Sequence, residues 1–149
     1  MLAAFFRLVF VGIANANVLN HFAPLLLLSG AKNLSAFTPV QLQGLAEAFL
    51  RFRTIGLDIA LVFFGFHCMI VGTLIFRSTF LPRILGVLLA IGGVGYVANI
   101  FASFPPSAIA MRIFPYVVLP AGAAELLLSL WLIVIGVNAA KWQKQAMAG

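Results

Sequence analysis

The amino-acid sequence predicts an all-α integral membrane protein, a bundle of four spanning helices with an amphipathic interfacial helix between spans 1 and 2. Hydrophobic residues make up 64% of the 149 residues, charged residues only 8%, and the mean hydropathy is +1.16. This composition leaves too little polar surface to cover a water-soluble globule. A spanning helix takes about 20 apolar residues, so four of them with their connections fill a single transmembrane domain over residues 1–149.

Four apolar runs are predicted to span the bilayer, over residues 2–28, 55–76, 84–104 and 116–137. The first run is much longer than the apolar part of a signal peptide, so we interpret it as a spanning helix. The polar connection at 77–83 is short enough only for a turn between antiparallel helices. Lys141, Trp142 and Lys144 follow the fourth run as a basic and aromatic anchor at the bilayer surface.

A further helix, over about 39–53, is predicted to lie along the bilayer surface between the first two spans. Thr38 and Gln41 form a T-x-x-Q capping pattern, with a proline at the first helical position. Apolar residues then recur at helical spacing. Glu47 and Arg51 are four residues apart in the order that favours an ion pair on the polar side. We interpret this segment as a connector between two spans.

The basic residues favour one orientation of the chain. The side that holds both termini carries Arg7, Arg77, Arg83, Lys141 and Lys144. The opposite side carries Lys32, Arg51, Arg53 and Arg112. Because the short 77–83 turn reports topology better than a long loop, we place both termini in the cytoplasm and the chain in the inner (plasma) membrane of a cell. The positive charge is thus explained by contact with membrane lipids, and nucleic acid is not an expected partner.

Polar residues at membrane depth are the candidate functional residues, because each is costly there without a partner. Asn17, Asn20 and His21 share one face of the first span by their spacing. Glu125, on the fourth span, reaches a similar depth. The hypothesis is a polar ligand-binding pocket centred on Glu125 and lined by these three residues and Asn99. The alternative is that these side chains hydrogen-bond one another and only hold the helices together.

His67 lies near the middle of the second span, where a histidine can ligate a haem or a chlorophyll-type pigment. Two histidines holding one haem need similar depths in the bilayer. His21 and His67 differ in depth by roughly 8 Å, from the helical rise per residue, which disfavours such a pair. We therefore expect no cofactor.

A stripe of small residues on the third span predicts a helix contact. Gly86, Ala90 and Gly93 recur at helical spacing and form one face on which a neighbouring helix can approach closely.

Five stretches carry a resemblance to a known family: LAAFFRLV at 2–9, NHFAPLLLLSGA at 20–31, GLDIALVFFGFHC at 56–68, FRSTFLPRILGVLLAIGGVGY at 76–96 and ELLLSLWLIVIGV at 125–137. In these the chain resembles the bacterial multi-pass membrane family called domain of unknown function 4386. The resemblance implies a multi-pass membrane protein and brings no activity or catalytic residue with it. Relatives of this kind typically have further helices ahead of Met1, so the resemblance implies a short form that lacks the first two helices.

The predicted function is that of an accessory or structural subunit that packs against a larger membrane complex or against a second copy of itself. One alternative is a binder or transporter of a small lipid-like or amphiphilic molecule through the pocket around Glu125. A second is binding of a haem or chlorophyll-type pigment through His67 or His21. Because no H-E-x-x-H, G-x-S-x-G or P-loop pattern occurs, we expect no enzyme activity, no catalytic residue and no metal site.

Overall fold

A computed structural model describes residues 1–30, 34–103 and 108–147, apart from the side chains of 102–103, 108–115, 117, 118 and 120. Within these ranges all of the regular secondary structure is helical, which confirms the all-α class. The helices are α1 (Leu2–Leu28), α2 (Pro39–Arg77), α3 (Arg83–Ser103), α4 (Ala108–Val134) and α5 (Ala139–Met147).

Three of the described helices, α1, α2 and α3, are long and apolar enough to cross a membrane. A fourth span is reached if the end of α4 and α5 count together, although the chain bends by 100° at the break between them. The protein is therefore a membrane protein, as the composition predicts. α1 has the predicted bounds of the first span, and α3 begins one residue before the predicted third span. Residue 104, the predicted end of that span, lies outside the described residues.

α2 joins two elements that were predicted as separate. The interfacial helix expected over 39–53 and the second span expected over 55–76 form one continuous helix of 39 residues. No break occurs at Thr54, where the hydroxyl donates to the Leu50 carbonyl at 3.2 Å within the helix. No proline follows Pro39 in α2 to interrupt it. The change from polar to apolar sequence near residue 54 therefore does not end a helix.

The predicted start of α2 and its predicted ion pair are both present. The Thr38 backbone N–H donates to Gln41 Oε1 at 2.9 Å, and the Gln41 N–H donates to Thr38 Oγ1 at 3.3 Å. These reciprocal bonds satisfy two backbone donors that the first turn of a helix leaves unpaired. Arg51 donates to Glu47 at 2.9 Å on the exposed side of the helix.

α4 differs from the predicted fourth span at both ends. It begins at Ala108 and ends at Val134, whereas 116–137 was expected. The helix thus runs through the prolines at 115 and 120, which spanning helices tolerate because neighbouring groups satisfy the freed backbone carbonyls. Gly136 follows the end of α4 with a φ of 74°, a conformation that glycine adopts without steric cost.

The basic and aromatic tail forms a separate helix, α5, that was predicted only as an anchor. Asn138 precedes it, and its side-chain Oδ1 accepts a hydrogen bond from the Lys141 backbone N–H at 3.0 Å. This is the bond of a helix N-cap, so the chain restarts a helix immediately after the turn. Trp142 and Lys144 lie on this short helix rather than beyond the end of a spanning one.

The helices group into two compact units. One unit consists of Met1–Arg7 together with Val62–Gly149, and the other of Leu8–Leu61. We call them the major unit and the minor unit.

Close backbone contact between α2 and α3 builds the major unit. A Cβ placed on Gly86 would lie 2.6 Å from the Gly72 carbonyl oxygen, and one on Gly93 would lie 2.5 Å from the Gly65 carbonyl oxygen. Ala90 meets Gly72 in the same seam, since its backbone N would lie 2.7 Å from a Cβ on that glycine. The small-residue stripe on α3 therefore packs on Gly65 and Gly72 of α2, two glycines that were not predicted to form the contact.

Candidate functional site

Glu125, the predicted centre of a pocket, has partners within the major unit. The hydroxyl of Tyr96, a buried residue of α3, donates to Glu125 Oε1 at 3.2 Å. Arg7, near the start of α1, interacts electrostatically with Glu125. A carboxyl group at membrane depth needs a hydrogen-bond donor or an opposite charge, and these two residues supply one of each.

Phe64 links the basic and the acidic ends of this arrangement. The Arg7 guanidinium carbon lies 4.8 Å from the centre of the Phe64 ring, within cation–π range. The centres of the Phe64 and Tyr96 rings are 5.6 Å apart. Arg7, Phe64, Tyr96 and Glu125 come from α1, α2, α3 and α4 in turn, and we call them the Glu125 cluster. The cluster joins one residue from each of the four long helices.

His67 lies beside this cluster and is held by the protein at one ring nitrogen. Its Nδ1 is 2.9 Å from the carbonyl oxygen of Ala3. Because a carbonyl can only accept, His67 Nδ1 is the donor in this contact. The His67 ring also stacks on Phe64, with centres 5.8 Å apart and an angle of 18° between planes. His67 thus ties α2 to the first turn of α1.

Asn17 and Asn20 are paired with each other in the minor unit. The Asn20 amide donates to Asn17 Oδ1 at 2.9 Å, and the Asn17 amide donates to the Arg53 carbonyl oxygen at 2.7 Å. This chain of two amides connects α1 to the first half of α2. Gly56 makes room for it, because a Cβ there would lie 2.5 Å from Asn17 Oδ1.

A groove of about 250 Å³ lies beside these amides in the minor unit. Its polar lining comes from Asn17, His21 and Arg53, and its apolar lining includes Val18, Phe22 and Leu57. His21, the third residue of the predicted polar face, therefore borders an open groove.

The five residues predicted to line one pocket are divided between the two compact units. Asn17, Asn20 and His21 belong to the minor unit, and Asn99 and Glu125 to the major unit. Asn99 is buried on α3, three residues after Tyr96, and has an interaction of its own. The structure thus brings Glu125 together with Tyr96 and Arg7, and Asn17 together with Asn20 and Arg53.

Three members of the Glu125 cluster were missed from the sequence: Arg7, Phe64 and Tyr96. Arg7 was interpreted as a topology signal and Tyr96 as part of an apolar run. Their position inside apolar runs was the available signal, because a cation or a phenol at membrane depth requires a partner just as an acid does.

A second groove, of about 400 Å³, lies in the major unit where the α2–α3 turn meets the link between α4 and α5. Phe80, Trp131 and Lys141 are among the residues that line it. Gln145 of α5 accepts hydrogen bonds from Thr79, at 3.1 Å from the backbone N–H and at 3.0 Å from the hydroxyl. These bonds hold α5 against the turn.

The helices and the Glu125 cluster define an all-α membrane protein in which Glu125, Asn17 and Asn20 have partners within the fold. The chain belongs to the family described as a domain of unknown function, DUF4386, whose sequence model matches residues 1–136.

A relative from Archaeoglobus fulgidus, named as an uncharacterized protein, is 29% identical over 80 residues, which cover 54% of this chain and 46% of that relative. The matched region therefore covers less than half of the length of this relative. No solved structure matches.

Proposed function

We propose that the protein is an accessory, structural component of the membrane that packs against other spanning chains or against a second copy of itself. The observation that carries this proposal is the pairing of Glu125 with Tyr96 at 3.2 Å and its interaction with Arg7. A carboxyl group used in this way joins helices, as interhelical hydrogen bonds do in membrane proteins. Neither of the two grooves described above is lined by Glu125.

The outer side of α4 supports the proposal. Ala121 and Ala124 are buried at 1% exposure on its inner side, where α4 packs in the major unit. Leu126, Leu130 and Ile133 recur at helical spacing on the other side, and their exposures are 67%, 55% and 80%. This strip of large apolar side chains is free to contact lipid or another spanning helix.

α1 carries a comparable strip. Leu8, Leu19 and Leu26 share one face by their spacing and are 70%, 74% and 68% exposed. Pro24 is the one residue of α1 that is buried among those described. A helix with so little of its surface covered is well suited to contact another chain in the bilayer.

Cross-linking in intact membranes, followed by mild detergent extraction and mass analysis, tests the proposal. We expect the tagged protein to carry another spanning chain, or a second copy of itself, in fixed ratio. Recovery as a monomer with no cross-linked chain would contradict the subunit role.

Two triple-alanine variants locate the contact. One truncates Leu126, Leu130 and Ile133, and the other truncates the α1 strip. Both keep the helix apolar, so insertion is preserved while packing surface is lost. We expect one of the two variants to lose most of the captured chain. Unchanged capture by both would exclude these strips and count against the proposal.

We propose further that the protein works without catalytic chemistry and without a cofactor, in the inner membrane. In this proposal His67 serves to join α2 to α1, through the contact of its Nδ1 with the Ala3 carbonyl and the stacking of its ring on Phe64. We also propose cytoplasmic termini. With Arg7 in the Glu125 cluster, the support comes from Arg77 and Arg83 at the short turn between α2 and α3. Labelling of a cysteine introduced in that turn, from either side of sealed vesicles, tests the orientation.

A further inference from the structure

We propose that the groove of the minor unit binds the phosphate headgroup of an anionic phospholipid, with Arg53 as the charged anchor and His21 as a second polar contact. This site does not depend on the subunit role proposed above, and it differs from a pocket around Glu125.

Arg53 is the first reason for this proposal. Arg53 lines the groove, is exposed and makes no ion pair with any of the described residues. Arg51, two residues earlier on the same helix, is paired with Glu47 at 2.9 Å. The Arg53 carbonyl accepts the Asn17 amide, so the backbone that carries the guanidinium is fixed to α1. A guanidinium that forms no ion pair with the described residues is a group that suits a phosphate.

The lining of the groove matches an amphiphile. Arg53, His21 and Asn17 supply the polar part, and Val18, Phe22 and Leu57 supply an exposed apolar part. A volume of about 250 Å³ is below the range of pockets that enclose a whole ligand. It is sufficient for a headgroup whose acyl chains lie outside, along the apolar side chains.

The position of Arg53 along the chain favours a lipid over a free anion. It comes two residues before the apolar run predicted to enter the bilayer at residue 55. Basic residues at that level contact lipid headgroups, and a guanidinium binds a phosphate through charge-assisted hydrogen bonds. A dissolved phosphate would gain nothing from Phe22 or Leu57, whereas a lipid tail would.

Lipid binding by the purified protein tests the proposal. Phosphatidylglycerol and phosphatidylcholine with identical acyl chains are titrated onto the detergent-solubilised protein and bound lipid is counted by native mass spectrometry. We expect wild-type protein to prefer phosphatidylglycerol and Arg53→Gln to bind it about fivefold more weakly. Arg51→Gln is the matched control and retains wild-type affinity, because Arg51 does not line the groove.

Val18→Trp is the second variant, since it fills the groove without removing a charge and leaves the Asn17 bonds in place. We expect it to lose phosphatidylglycerol as well. Equal losses in Arg53→Gln and Arg51→Gln, or no loss in Arg53→Gln, would overturn the proposal. Displacement of phosphatidylglycerol by an equal concentration of inorganic phosphate would show a free-anion site and overturn the assignment to a lipid.

Discussion

Replacing Gly86 by alanine probes the α2–α3 seam directly. The added Cβ would lie 2.6 Å from the Gly72 carbonyl oxygen and 2.7 Å from the Phe76 backbone N. Both atoms belong to backbone, which cannot rotate aside as a side chain can. The two helices must therefore separate along the seam.

The expected cost follows from two opposing effects. Overpacking of a closely packed contact costs about 1–3 kcal/mol. Alanine in place of glycine within a helix raises the free energy of unfolding by about 1 kcal/mol, because alanine has the higher helix propensity. The net change for Gly86→Ala is then a loss of about 0–2 kcal/mol in the free energy of unfolding.

Gly44→Ala is the matched control. Gly44 lies inside α2, and a Cβ there would meet nothing within 4 Å. The free energy of unfolding of this variant should rise by about 0.5–1 kcal/mol from helix propensity alone. Unfolding of both variants by denaturing detergent, followed by circular dichroism in mixed micelles, measures the difference. If Gly86→Ala stabilised the protein as much as Gly44→Ala does, the two helices would not be in the described contact.

Three further predictions concern other parts of the chain. Gly56→Ala is expected to lower the free energy of unfolding by about 1 kcal/mol, because the added Cβ displaces the bonded Asn17 amide. In a protein that already carries Asn17→Ala, adding Gly56→Ala should no longer have this cost. If the cost persisted there, the added Cβ would not contact Asn17. Gly136→Ala is expected to lower the free energy of unfolding by about 1–2 kcal/mol, because the residue has a φ of 74°, which alanine adopts only with steric strain. An unchanged midpoint of thermal unfolding would contradict this backbone conformation. The purified protein is expected to show no absorption band of haem or chlorophyll in the visible range. A pigment band in stoichiometric amount would contradict this and favour His67 as a ligand.

The helices were predictable where a single physical signal decides them. α1 has the predicted bounds because its apolar run is long and is followed by Ser29 and by Gly30, which has a φ of 71°. The predicted break in α2 was wrong because polar residues such as Arg53 mark where sequence leaves the bilayer, and a helix need not end there. α5 could have been predicted, because Gly136 and Asn138 are the glycine and the N-cap residue that end one helix and begin another.

The site was only partly predictable. Polar residues at membrane depth are visible in any sequence, so Glu125 and Asn17 were identified as needing partners. Their partners depend on how helices distant in sequence align with one another. No spacing rule within one helix could have shown that Tyr96 donates to Glu125, or that Asn17 donates to the backbone of Arg53.

The pairing of Glu125 within the fold is most directly tested by a double-mutant cycle of Tyr96→Phe and Glu125→Leu, with the free energy of unfolding measured in mixed micelles. Each substitution removes one side of the 3.2 Å hydrogen bond while keeping a side chain of similar size. We predict a coupling energy of about 0.5–1.5 kcal/mol, as found for interhelical hydrogen bonds in membranes. Strictly additive effects of the two substitutions would contradict the structural role of the Glu125 cluster.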